Sequence, residues 1–200
     1  RRKRLPHLNI WVDSPMATAV TQLTEEYLSE LDDAARAAYI WYQQNPSKLD
    51  LRFVADVEES KALNRIKGGA IIISASGMAT GGRVVHHLEN MLPNPNNSVL
   101  LVGYQAAGTR GQYLLSGAKT IKMYGKYVEV NAEIIQIEEF SVHADSEELL
   151  QWFKSANSMP DCVYTVHGES DSAESFANLI HNKLNWKAQV PKLDQVYDLN

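Results

Sequence analysis

Cysteine is nearly absent: Cys162 is the only one in 200 residues. That excludes an internal disulfide and any multi-cysteine zinc site, and it makes a reducing cytoplasm the expected compartment. Long apolar runs are lacking too. The longest, such as residues 70–73 and 99–102, fall far short of the roughly 20 residues that cross a bilayer, so the sequence predicts a soluble globular chain. The basic opening Arg1-Arg2-Lys3-Arg4 leads into Leu5-Pro6-His7-Leu8-Asn9 instead of an apolar stretch, which excludes a signal peptide. An excess of positive charge is also missing. With 19 Lys and Arg against 24 Asp and Glu the net charge is −5, the wrong sign for gripping nucleic acid by bulk electrostatics, so a polyanion has to be held locally. The chain opens on Arg1 rather than methionine, which suggests a processed or excised piece with something upstream missing.

What is present is enough for a core. At 44% hydrophobic, 200 residues suit one large domain or two small ones. Residues 8–12 read as a strand, and Asp13-Ser14-Pro15 supplies a helix cap with proline in the first turn. Ala19, Val20, Leu23, Tyr27, Leu28 and Leu31 recur at helical spacing, and Asp32-Asp33 starts a second helix that Asn45-Pro46 ends. Strands near 51–55, 70–74 and 98–102 then alternate with helices near 58–66 and 82–92. A further short helix is expected at 109–115. This repeated β-α-β pattern predicts an α/β fold whose mainly parallel sheet is covered by helices on both faces. Residues 119–137 hold three β-rich stretches, 120–123, 127–130 and 134–137, which suggest antiparallel strands. The last third resumes the alternation, with helices at 146–154 and 172–184 and strands at 162–166, 188–190 and 196–199. No Gly/Ser-rich linker interrupts the chain, and a domain boundary is expected near Glu138.

The most informative feature is a near-repeat, Ser141-Val142-His143-Ala144-Asp145-Ser146 and Thr165-Val166-His167-Gly168-Glu169-Ser170. Each copy sits where a strand is expected to end and a helix to begin, and the histidines are one strand-to-strand step apart. Neighbouring strands about 4.8 Å apart would bring both imidazoles to one crevice, at the edge where open α/β sheets bind ligands. Asp145 and Glu169 could then hold the imidazole tautomers as outer partners. The alternative is two helix caps with histidines merely adjacent.

A second feature is the glycine-rich turn Ser74-Ala75-Ser76-Gly77-Met78-Ala79-Thr80-Gly81-Gly82-Arg83. Its backbone N–H groups and hydroxyls could cradle an anion. Gly77 and Gly82 match P-loop spacing, but Arg83-Val84 replaces the required Lys and Ser/Thr, so a phosphate turn without nucleotide chemistry, or a plain structural turn, fits better. Gly103 to Gly111 follows the next strand in the same way, and Arg110 could meet a phosphate bidentately or stand solvated. His86 and His87 are consecutive on a helix, point about 100° apart and cannot easily share a metal, so both are expected to be structural or surface residues. His7 and His181 have no supporting context.

Taken together, Val12-Asp13-Ser14-Pro15-Met16-Ala17, the Ser74 to Gly82 turn, Gly103 to Thr109, Phe140-Ser141-Val142-His143-Ala144-Asp145 and Val166-His167-Gly168-Glu169 resemble the metallo-β-lactamase/β-CASP nucleases of RNA processing. The resemblance implies that residues 1–138 are the later part of a β-CASP domain. Residues 139–200 would then be the C-terminal β-α-β segment of the metallo-β-lactamase domain that hosts it. It further implies a zinc-dependent ribonuclease acting on single-stranded RNA, endo- or exonuclease. His143 is the histidine for proton transfer beside the scissile phosphate, His167 a zinc ligand, and Ser76, Gly77 and Ser141 line the phosphate pocket. The family's H-x-H-x-D-H motif is nowhere in the chain, and one imidazole cannot hold a catalytic zinc. Two zinc ions are therefore expected in the intact parent, completed by an N-terminal metallo-β-lactamase portion. None is expected in this chain alone, which should be inert. A homodimer stays open. The competing readings are an RNA-clamping module without catalysis and a phosphate-binding α/β protein of another class.

Overall fold

The computed structural model describes residues 9–45, 49–137 and 143–198. By its internal contacts the chain divides into two compact units, residues 1–141 and 142–200.

In the first unit, β1 (Asn9–Asp13) runs straight into α1 (Pro15–Glu26). Ser14 caps that helix by accepting from the Ala17 N–H, and Pro15 takes the first helical position, where its missing N–H costs nothing. A short 3-10 turn (Leu28–Glu30) precedes α2 (Asp33–Gln44), which is capped by Asp32. The alternation continues through β2 (Asp50–Phe53), α3 (Val57–Leu63), β3 (Ala70–Ser74), α4 (Arg83–Met91), β4 (Ser98–Val102) and α5 (Arg110–Leu115). It ends in β5 (Thr120–Met123), β6 (Lys126–Glu129) and β7 (Glu133–Ile137). β1 lies between β2 and β3, all parallel. That arrangement aligns the carboxyl ends of three strands, the edge where parallel sheets place ligands.

The second unit contains α6 (Ser146–Lys154), β8 (Val163–Tyr164), α7 (Ser170–Leu184) and β9 (Ala188–Gln189). β8 and β9 pair in parallel across α7, a β-α-β unit. Leu150 of α6 and Ile180 of α7 are sealed in its interior, with Ala173 and Ala177 beside them. Phe153 bridges to Phe176 and Trp186, with ring centroids 6.2 and 5.9 Å apart.

The core of the first unit gathers Leu88, Leu92, Leu114, Ile121, Met123 and Val128 between α4, α5 and the β5–β6 hairpin. The α/β fold class is as the sequence implies, but four expectations are corrected. Of the three stretches read as antiparallel, only β5 and β6 pair that way. β7 instead runs parallel to β4, from Ser98 opposite Glu133 to Val102 opposite Ile137, because α5 and the hairpin carry the chain back to its start. The strand expected over 162–166 is cut to two residues: Thr165 turns its hydroxyl to the Ala173 carbonyl at 3.2 Å, and the left-handed backbone of His167 (φ 65°) leads the chain away. Residues 196–198 form no strand. Val196 is 88% exposed and Tyr197 packs edge-on against Tyr164, while Leu199 lies outside the described residues. Nor are the parallel sheets, β2-β1-β3 and β4-β7, covered on both faces: Ile71 and Ile73 of β3 and Leu100 and Val102 of β4 are exposed, as is the apolar stripe of Met16, Val20 and Leu23 of α1 with Tyr27 just after it. Among the described residues nothing packs deeply enough on α1 to bury any of its side chains. No described helix is long and apolar enough to cross a membrane.

Leu114 is 1% exposed and Leu193 94%. Leu114→Ala should therefore cost about 2–5 kcal/mol of unfolding free energy, while Leu193→Ala stays within about 0.5 kcal/mol. Urea unfolding midpoints of the two variants read this difference directly.

Candidate functional site

The carboxyl ends of β1 and β3 carry a buried polar cluster centred on Asp13, which is completely sealed from solvent. Since Ser14 does the capping of α1, the Asp13 side chain is free of that task. Its Oδ2 accepts from Ser60 Oγ of α3 at 2.5 Å and from His87 Nε2 of α4 at 2.6 Å. Its Oδ1 accepts from Arg83 Nη1 at 2.5 Å. On the far side of the ring, His87 Nδ1 lies 2.9 Å from Asn64 Oδ1, and Ser74 Oγ donates to the Asp13 carbonyl at 3.0 Å. Burial alone would push the Asp13 carboxyl up. The hydrogen bonds from Ser60, Arg83 and His87, with the charge of His87, more than offset it and hold the group below its ordinary value. An ionised carboxylate only accepts, so the nitrogen of His87 that faces it must carry a proton.

The glycine-rich turn hangs from this cluster, because Arg83 is its last residue and the first of α4. Within it, Ser76 Oγ accepts from the N–H groups of Thr80 and Gly81 at 3.2 and 3.4 Å and pairs with Thr80 Oγ1 at 3.1 Å. Gly82 is required: at φ 78° a Cβ would sit 2.5 Å from the Ala75 carbonyl oxygen. At Gly77 a Cβ would meet nothing within 4 Å. The turn is laced to the following loop by Gln105 Nε2, which donates to the Gly77 carbonyl at 3.1 Å. Arg110 laces it further, donating to the carbonyls of Ala79, Thr80 and Lys122, each at 3.1 Å. The guanidinium that the sequence left as either a phosphate fork or a solvated group thus spends its Nε and Nη1 donors on the backbone. Ser141 lies outside the described residues.

In the second unit, the two histidine turns differ in their acids. Asp145 closes a capping box on α6, its Oδ1 accepting from the N–H groups of Glu147 and Glu148 at 2.9 Å while Glu148 reaches back to the Asp145 N–H. Glu169 precedes α7 without a side-chain capping bond. His143 and His167 are both exposed. Each turn leads into a helix whose first turns line one open cleft of about 540 Å³, with Ser146 on one wall and Asp171, Ser172 and Ser175 on the other. Neither His143 nor His167 is among the residues that line it. Asp13, Ser60 and His87 were not legible as a group, since their contacts span 47 and 74 residues of sequence. The usable signal was the Asp-Ser-Pro order, in which the serine caps and leaves the aspartate without a local role.

Residues 1–114 match the Beta-Casp domain. The chain belongs to the β-CASP family. Residues 127–191 of this β-CASP chain match the Zn-dependent metallo-hydrolase RNA specificity domain. Over 88% of its length the chain is 32% identical to ribonuclease TTHA0252 of Thermus thermophilus, covering 40% of that protein. It is 34% identical to transcription termination factor FttA of Pyrococcus abyssi over 88% of its length, covering 28% of that one. An RNase J-like protein of Methanocaldococcus jannaschii is 36% identical over 69% of the chain, which covers 32% of the relative. The chain thus spans well under half of these relatives. Zinc is in the matched domain's description, yet among the described residues no three His, Cys, Asp or Glu side chains converge as a metal-binding group. A catalytic zinc takes about three protein ligands, so the described residues do not by themselves fit one.

Asp13→Asn leaves the half-buried Arg83 guanidinium and the buried His87 without their counter-charge and should cost about 3–5 kcal/mol. Because the folded carboxyl titrates below its unfolded value, its stabilisation is full above about pH 4 and is lost as pH falls through the folded value. Unfolding free energies measured from pH 7 down to pH 2 should fall less steeply below pH 4 in Asp13→Asn than in the wild type.

Proposed function

We propose that this chain is the later β-CASP part, residues 1–138, and the returning metallo-β-lactamase segment, residues 139–200, of a zinc-dependent hydrolase that cuts single-stranded RNA. What carries the reading is the pair of histidine turns ahead of α6 and α7, which lie inside the stretch that matches an RNA specificity domain. Two relatives, a ribonuclease and an RNase J-like protein, support RNA as the substrate class.

In this reading His143 passes a proton to the oxygen that leaves as the phosphodiester breaks. Imidazole suits the task because it exchanges a proton near neutral pH. Its exposure leaves it open to a substrate strand. His167 offers one nitrogen toward zinc, and the remaining ligands belong to the parent's preceding metallo-β-lactamase portion. Ser76, Gly77, Ser141 and the charge of Arg110 border the phosphate. Glu169 orients the His167 ring, and Asp145 acts on His143 through the oxygen its cap does not use. The chain alone is inert and holds no zinc tightly.

In the intact parent, His143→Ala should lower kcat about 10²- to 10⁴-fold on a single-stranded RNA with KM little changed, while zinc content by elemental analysis stays intact. His167→Ala should instead lose zinc. Equal kcat in the wild type and His143→Ala would sink the assignment. Stoichiometric Zn²⁺ uptake with phosphodiesterase activity in the isolated chain would overturn the claim that it is inert.

A further inference from the structure

A second cleft, of about 460 Å³, opens in the first unit between the end of the glycine-rich turn, α5 and the β5–β6 hairpin, with Thr80, Arg110, Tyr113, Lys122, Tyr124 and Gly125 on its walls. Its volume is in the range of small-ligand sites. Two cations line it and no carboxylate does, in a chain whose net charge is −5. Local potential here is therefore opposite to that of the molecule as a whole, which is how an acidic protein can still attract a phosphate strand. Two tyrosines share the lining, Tyr113 at 51% and Tyr124 at 53% exposure.

The backbone under Tyr124 makes the ring more than an incidental surface aromatic. Tyr124 and Gly125 are the two residues joining β5 to β6, with φ 47° and 82°. A two-residue connection with both φ values positive favours Asn-Gly, and a bulky residue at its first position is strained. What the tyrosine gains is a fixed pose. Its ring lies on that of His86, centroids 4.7 Å apart and planes 17° apart, and its hydroxyl is 3.0 Å from His86 Nε2. Folding alone would be served better by asparagine. The strain instead holds a flat, half-exposed ring on the wall of a cationic cleft.

We infer that this cleft is a base-stacking subsite for single-stranded RNA, remote in sequence from the histidine turns. One base stacks on the exposed part of Tyr124 and a second on Tyr113, and the intervening phosphate is drawn by Lys122 and by the fixed charge of Arg110. Aromatic rings beside a cationic track are the general means of holding a single strand without reading its sequence. The inference rests on the RNA reading above and adds to it a stacking subsite that shares only Arg110 with the residues of the proposed chemistry.

The test is fluorescence anisotropy of the full chain with a labelled single-stranded decaadenylate, the same oligonucleotide made abasic, and a duplex of equal length. Tyr124→Asn is the decisive variant, since it installs the residue this turn favours and should keep or raise Tm, so lost binding is not lost folding. Expected are an affinity about tenfold or more lower for Tyr124→Asn and again for Tyr113→Leu, a comparable loss with the abasic strand, and no preference for the duplex. Wild-type binding that Tyr124→Asn leaves unchanged, or equal binding of intact and abasic strands, overturns the stacking site while sparing the RNA reading. No binding of any oligonucleotide by the wild-type chain overturns the site, whereas the RNA reading then stands or falls on cleavage by the intact parent.

Discussion

One buried carboxylate holds the ligand edge of the first unit together. Asp13 sits at the last position of β1, and its two oxygens take hydrogen bonds from α3 and from both Arg83 and His87 of α4. A charge placed there unpaired would cost several kcal/mol, so the strand end, the two helix starts and the turn between β3 and α4 are constrained to one relative arrangement. The glycine-rich turn inherits its position from that requirement. Ser76 then closes it from inside, while Gln105 and Arg110 fasten it to the next loop from outside.

How much of this the sequence disclosed depended on how local each signal was. Caps and strands whose cause lies within a few residues were readable. Ser14 with Pro15, Asp32, the bounds of β3 and β4, and the whole of α6 follow from hydroxyl or carboxylate caps and from apolar spacing. Pairing was not readable where the partner is distant. Nothing in Ile134-Ile135-Gln136-Ile137 distinguishes a strand bound for β4 from one bound for β6, because an apolar run does not name the strand it pairs with. The open faces of β3 and β4 were hidden for a related reason: an apolar run implies a cover without saying which residues provide it.

For the candidate site the split is similar. The histidine turns were visible as a repeated pattern, and the repeat itself, more than either histidine, pointed to a site. The differing roles of their acids were not visible, since a capping box in one copy and its absence in the other turn on side-chain reach. The Asp13 cluster stayed concealed because its aspartate, serine and arginine–histidine pair lie on three separate segments and leave no periodic trace.

The parallel pairing of β4 with β7 encloses the entire α5 helix and the β5–β6 hairpin within its span. Closing so long a loop directly is slow and entropically costly, whereas a two-residue hairpin forms within microseconds. The hairpin and the adjacent helix can therefore assemble ahead of the strand that follows them and shorten the distance it has to search. The strained tyrosine at the hairpin tip lies on that early route, so it taxes the rate of folding as well as the stability of the finished fold.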